Sequence, residues 1–123
     1  MIAIEGCIGS GKSTTARLVA EAIGWKTVLE RTDVHPFLSD FYTNPSKYAI
    51  ETELNFVLLH YNQLHPLGQG QYIVTDFSPA KDLIFARMNL QEPDLSLFEH
   101  VYEGLIGKIS MPDLVVFLGQ IYD

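Results

Sequence analysis

The chain has 123 residues, 47% hydrophobic and 19% charged, the balance of one folded domain rather than of a disordered segment. Its net charge of -7 repels nucleic-acid backbones and anionic membrane surfaces, so neither is expected as a partner. The lone cysteine, Cys7, excludes an intrachain disulfide, and neither a membrane-length apolar run nor a signal-peptide layout is present; the expectation is a soluble, cytoplasmic protein.

Met1 to Ile4 is a short apolar run closed by glycine, the pattern of a buried parallel strand. Gly6-Cys7-Ile8-Gly9-Ser10-Gly11-Lys12-Ser13 follows, with the spacing G-x-x-x-x-G-K-[ST]. Glycines at those places let the backbone curl until successive N–H groups point inward, and the start of a helix adds its positive dipole end. Ser13 to Ile23 supplies that helix, with Ala16, Leu18, Val19, Ala20 and Ile23 on one stripe and Gly24 to end it. Strand, loop and helix in this order are the context the motif requires. Gly6, Gly9, Ser10, Gly11, Lys12, Ser13 and Thr14 are therefore assigned to the phosphates of a nucleoside triphosphate. Lys12 would bridge the terminal phosphates, and the Ser13 hydroxyl would help to hold Mg²⁺.

Thr27 to Leu29 predicts a second strand, ending at Glu30. His35-Pro36 breaks regularity, and Phe37 to Tyr42 reads as a short helical turn. Asn44-Pro45 then has the form of an N-cap followed by proline at the first helical position. Ile50, Leu54, Val57, Leu58, Tyr61 and Leu64 recur at helical spacing behind it, until Pro66, Gly68 and Gly70 close the helix. Tyr72 to Thr75 predicts a third strand, ending at Asp76. Ser78-Pro79 repeats the cap-and-proline signal and opens a helix to about Leu90; Asp94 is placed as the cap of another, to about Ile109. Leu114 to Leu118 is the last strand.

Strands alternating with helices define an α/β domain with a parallel sheet covered on both faces, a three-layer sandwich of the P-loop NTPase type. Only Gly119 to Asp123 follow the last strand, where such a sheet would place another helix, so the domain reads as cut short. Ligands of open parallel sheets sit beyond the carboxyl ends of the strands, where Glu30 and Asp76 fall. Glu30 is suited to accept a proton from an attacking hydroxyl and Asp76 to organise Mg²⁺; helix capping or plain solvation is the competing role for each. His35, His60, His65 and His100 lack metal-ligand spacing and are assigned structural or solvent-facing positions. Trp25 is expected to pack beside the first helix, and Cys7 to be a small filler.

Taken together, Glu5-Gly6 before the loop, Glu30, Pro36-Phe37-Leu38, Phe41-Tyr42 with Pro45, Asp76, Ile84-Phe85-Ala86 and Pro112-Asp113-Leu114 resemble the deoxynucleoside kinases, in particular the bacterial deoxyadenosine/deoxyguanosine kinase branch. The resemblance implies ATP as donor with Mg²⁺, a deoxynucleoside as acceptor with purines favoured, and assembly as a homodimer. It also implies a five-stranded sheet, of which four strands are present here. Glu30 matches the general base, with Lys12 beside it in the transfer step. Tyr42 matches the group that hydrogen-bonds the sugar 3′-hydroxyl, and Leu38 and Phe85 match walls of the base pocket.

The chain departs from that pattern in three ways. Glu53 stands where the resembled family has a base-reading glutamine, and an ionised glutamate only accepts hydrogen bonds. Asp76-Phe77-Ser78 lacks the arginine of the family's Asp/Glu-Arg-Ser, for which Lys81 is the nearest substitute. The family's arginine-bearing lid and its last strand have no counterpart. Two rival readings follow: a nucleotide kinase similar to thymidylate kinase, which shares the loop but normally has Asp-Arg-Tyr at the third strand, and a truncated, inactive nucleotide-binding fragment.

Overall fold

The computed structural model describes residues 1–7, 9–34 and 43–119. The elements are β1 (Ile2–Gly6), α1 (Lys12–Ile23), β2 (Lys26–Val28), a 3₁₀ turn (Thr32–Val34), α2 (Pro45–Leu64), a second 3₁₀ turn (His65–Leu67), β3 (Ile73–Thr75), α3 (Pro79–Asn89), α4 (Asp94–Ile106) and β4 (Leu114–Leu118). All strand pairs are parallel, in the order β2-β3-β1-β4. Ile2 lies opposite Val74 on one side and Leu114 on the other, and Lys26 lies opposite Ile73.

Alternation along β3 shows how the layers arise. Successive side chains of a strand point to opposite faces. Ile73 therefore packs with Met1, Leu64, Phe77 and Ile109 on one face, while Val74 packs with Ile4, Ala16 and Ala20 on the other. The two alanines let α1 approach the sheet closely, and Gly24, at φ 74°, ends α1 in a left-handed conformation. Beyond the Ile73 face, α2, α3 and α4 form a third cluster around Val57, Ala86, Leu90, Phe98 and Tyr102.

The predicted elements appear in order, with boundaries shifted by one to three residues. Pro45 and Pro79 open their helices at the expected place, although neither Asn44 nor Ser78 makes a side-chain cap bond. Tyr48, at φ −111° and ψ 15°, sets the first turn of α2 apart from the rest. Asp94 is not the cap of α4: Pro93 occupies that position, and Asp94 is the first helical residue, where its charge still complements the helix dipole. α4 stops at Ile106, because Gly107 follows and Ile109 turns in under β3. Trp25 meets the α1 cluster as expected and also meets Tyr72 edge-on, with ring centroids 5.3 Å apart. The helical turn expected over 37–42 falls outside the described residues.

Coverage of both sheet faces holds for β1 and β3 and fails for β4. Leu114 is 54% exposed and Phe117 65%, on opposite faces of the strand. Among the described residues no helix is long and apolar enough to cross a membrane.

Candidate functional site

Three constraints shape the turn after β1. A Cβ on Gly6 would lie 2.7 Å from Ser10 Oγ and 2.9 Å from the Leu118 carbonyl oxygen, so only glycine fits there. Gly9 and Gly11 have φ of 81° and 86°, a region that side chains disfavour. The Ser10 N–H donates to the Cys7 carbonyl at 3.0 Å and closes the turn. Ile8 is outside the described residues, and Cys7 is an exposed free thiol.

The start of α1 is open toward this turn. Gly11 sits at the N-cap with no side-chain bond, and the first helical bond runs from the Thr15 N–H to the Gly11 carbonyl at 2.9 Å. The N–H groups of the preceding residues have no partner within the helix. Ser10 Oγ is also buried with no hydrogen-bond partner. Unpaired donors at a helix N-terminus, with Lys12 on the first turn, make a cradle suited to an anion. Thr14 is exposed and Ser13 half-buried beside it.

Asp76 ties this cradle to the neighbouring strand. The Ser13 hydroxyl donates to Asp76 Oδ2 at 2.6 Å, and the Glu30 N–H donates to Oδ1 at 2.7 Å. Both acids sit at strand ends, where the sequence put them, and one carboxylate joins them. A hydroxyl and a carboxylate in contact are hard oxygen donors. They fit Mg²⁺, which is usually held by one or two protein oxygens together with water and phosphate.

The chain around Glu30 is pinned from α2. Gln63 donates to the Leu29 carbonyl at 2.6 Å and accepts from the Arg31 N–H at 3.0 Å. The Glu30 side chain meets His60, whose Nε2 lies 2.6 Å from Glu30 Oε2 while Nδ1 lies 2.6 Å from Asp82 Oδ2. The imidazole is 2% exposed and stacks on Phe77, with centroids 4.5 Å apart. Burial works against its charged form, but the hydrogen bonds and charges of Asp82 and Glu30 outweigh that and push its pKa up to about 9. The Phe56 ring lies 6.1 Å away, tilted by 37°, and Glu5 and Glu53 add negative charge at Asp82.

The remaining candidates separate into three groups. Lys81 ion-pairs with the buried Glu5 at 2.9 Å, and its ammonium lies 5.5 Å from the Phe85 ring and 6.0 Å from Phe117. Phe85 is 42% exposed, so it is not a core residue. Glu53 is buried on α2, accepts from Asn89 Nδ2 at 3.0 Å, and does not reach toward Lys47; burial pushes its pKa up. Leu38 and Tyr42 lie outside the described residues.

His60, Asp82 and Gln63 are site residues that the sequence reading passed over. The signal was a polar residue on an apolar face: His60 lies three residues after Val57 and four before Leu64, both buried, one against the neighbouring helices and the other against the sheet. His65 keeps its expected surface position, stacked on Tyr61 at 4.7 Å, and His100 is exposed.

An open helix start after a glycine turn, with paired acids at the ends of adjacent parallel strands, defines an α/β domain of the P-loop kinase fold, with a turn suited to phosphate. The family model for deoxynucleoside kinases matches residues 2–123, and the chain belongs to that family. This match decides against the thymidylate-kinase reading. The deoxyguanosine kinase of Bacillus subtilis is 30% identical over 122 residues, which are 95% of this chain and 59% of the relative. The deoxyadenosine/deoxycytidine kinase of the same organism is 28% identical over 127 residues, 96% of this chain and 58% of the relative. The deoxyadenosine kinase from M. mycoides, solved with bound dCTP, superposes with a TM-score of 0.76 at 24% identity, over 95% of this chain and 62% of that one. The chain thus spans about three fifths of the length of the relatives it matches.

The raised pKa of His60 gives a pH dependence of stability with a definite sign. A folded value of about 9 against an ordinary 6.5 means that protonation favours the folded state. The contribution, on the order of 3 kcal/mol, is fully present below about pH 6.5 and is lost as pH rises through about 9. Urea midpoints measured from pH 6 to 10 should fall across that window in the wild type. They should fall much less in His60→Gln.

Proposed function

We propose that this chain carries the donor and acceptor sites of an ATP-dependent deoxynucleoside kinase that phosphorylates the 5′-hydroxyl. The observation that carries the reading is the Ser13–Asp76–Glu30 linkage, in which one carboxylate holds both the first turn of the phosphate-binding helix and the backbone of the proposed base. Its outer partners are those expected of a substrate cleft at strand ends.

In this reading the turn from Gly6 to Gly11, with Ser10, Ser13 and Thr14, receives the phosphates of ATP, and Lys12 neutralises the terminal ones. Glu30 accepts the 5′-hydroxyl proton as that oxygen attacks the terminal phosphorus, and the bond to the leaving ADP oxygen breaks. Mg²⁺, held by Ser13 and Asp76, would neutralise charge on the phosphates when bound. Lys81, already paired with Glu5, places a cation near the same strand ends. Leu38, Tyr42 and Phe85 keep the base-wall and sugar roles that the resemblance implies. The relatives' greater length and the two open faces of β4 support placing the arginine-bearing lid and last strand in the part of those proteins that this chain does not cover. A cytoplasmic location and pairing of two copies belong to the same proposal.

Glu53 gives the reading its substrate preference. An ionised carboxylate facing a base edge is satisfied only by donors. Guanine offers a ring N–H beside an amino group, whereas adenine sets a ring acceptor beside its donor. Each unpaired buried polar group costs roughly 1–3 kcal/mol, so deoxyguanosine is favoured over deoxyadenosine.

Three variants test the proposal in a transfer assay with labelled ATP and the four deoxynucleosides. Lys12→Ala should weaken Mg-ATP binding more than tenfold by calorimetry, since a charge-assisted phosphate contact is worth about 1.5–3 kcal/mol. Unchanged affinity in a folded variant removes Lys12 from the donor site. Glu30→Gln should keep ATP affinity and lose about 10²–10⁴-fold in turnover. A loss below threefold makes Glu30 a structural acid, and no transfer by the wild type supports the inactive-fragment reading. Glu53→Gln should shift the ratio of deoxyguanosine to deoxyadenosine efficiency toward adenine; an unchanged ratio means that Glu53 does not read the base.

A further inference from the structure

The mechanism above needs Glu30 to hold one oxygen toward a hydroxyl, and a glutamate side chain at a strand end has rotamer freedom that works against this. Its backbone is fixed on three sides: by Asp76 on its own N–H, by Gln63 on the carbonyl before it and by Gln63 on the N–H after it. That leaves the side-chain torsions. Among the described residues the contact that restrains them is the 2.6 Å hydrogen bond between Glu30 Oε2 and His60 Nε2.

His60 is itself immobilised. Its second ring nitrogen bonds the buried Asp82 on α3, its face lies on Phe77, and its backbone sits within α2. A ring with both nitrogens engaged and one face stacked cannot flip or tilt without breaking one of these contacts. The arrangement also has a chemical direction. An imidazole that donates from both nitrogens is satisfied only by two acceptors, and here both are carboxylates.

We propose that His60 is the positioning residue of the phosphoryl-transfer site: anchored through Nδ1 to Asp82, it holds Oε2 of Glu30 through Nε2, so that Oε1 is the oxygen turned to the attacking hydroxyl. Asp82 acts through His60. The inference rests on the reading of Glu30 as general base. It adds that the base is oriented from helix α2, by a residue of a type that neither composition nor spacing assigned to chemistry.

The test has two arms on the full chain. The first uses ¹⁵N spectra of the histidine ring nitrogens and needs no turnover. At pH 7 both His60 nitrogens should appear protonated, and Glu30→Gln and Asp82→Asn should each lower its titration midpoint. A midpoint unmoved by Glu30→Gln overturns the proposal, because the two side chains are then not joined. The second arm measures transfer kinetics. His60→Gln should lower kcat about 10²-fold, the typical loss on misplacing a reacting group by about 1 Å, with KM for ATP changed less than twofold. Loss through KM alone, or none, overturns it. If His60→Gln fails to fold, Asp82→Asn serves in its place, with the same split expected at smaller size. A wild type with no transfer but a Glu30-dependent midpoint marks failure of the kinase reading, and with it of the catalytic role of the clamp.

Discussion

The Asp76 carboxylate is the constraint on which the site depends. Its two oxygens take one donor from α1, which follows β1, and one from just past β2, and β1 and β2 are not neighbours in the sheet. β3 lies between β2 and β1, so a residue just past its end is equidistant from both in the strand order. A short side chain there reaches each side. This is the general logic of ligand sites at the carboxyl ends of parallel strands, realised through one acid. Without it, the Ser13 hydroxyl and the Glu30 backbone N–H would lose the acceptor they share.

The charges around this acid are buried and each needs a partner. Glu5, Glu53 and Asp82 are buried, and each has a partner: Lys81, Asn89 and His60. Desolvating such groups costs several kcal/mol per ion, and pairing recovers that cost only when the geometry is good. An apolar core would serve the fold at least as well. Glu5 lies on β1, Glu53 and His60 on α2, and Lys81, Asp82 and Asn89 on α3, a grouping that suits a polar ligand between those helices and the sheet. Mutating one partner would leave the other buried and unpaired, so these residues should be read as pairs.

Most of the fold was legible because its signals are local. Glycine and proline fixed the element ends, and apolar runs fixed the strands, to within three residues. The glycine turn after β1 was legible for the same reason: its steric demands, seen at Gly6, Gly9 and Gly11, are written in adjacent residues. Glu30 and Asp76 were placed by position at strand ends, but their junction was not, because 46 residues separate them in sequence. His60 was missed for a like reason. Its partners, Glu30 and Asp82, lie 30 and 22 residues away, and a histidine on an apolar helix face does not announce two carboxylates above it. The misplaced cap at Asp94 shows the opposite limit, in which a good local signal lost to the proline one residue earlier.

The central claim is that Glu30 faces the hydroxyl receiving the phosphoryl group, opposite a donor seated on α1. A crystal structure of the chain with Mg-ADP and deoxyguanosine tests it most directly. The account predicts the ADP phosphates on the turn between Gly6 and Ser13, and the 5′-hydroxyl about 2.6–3.2 Å from a Glu30 carboxylate oxygen. Nucleoside bound with that hydroxyl away from Glu30, or nucleotide bound away from the turn, would contradict it.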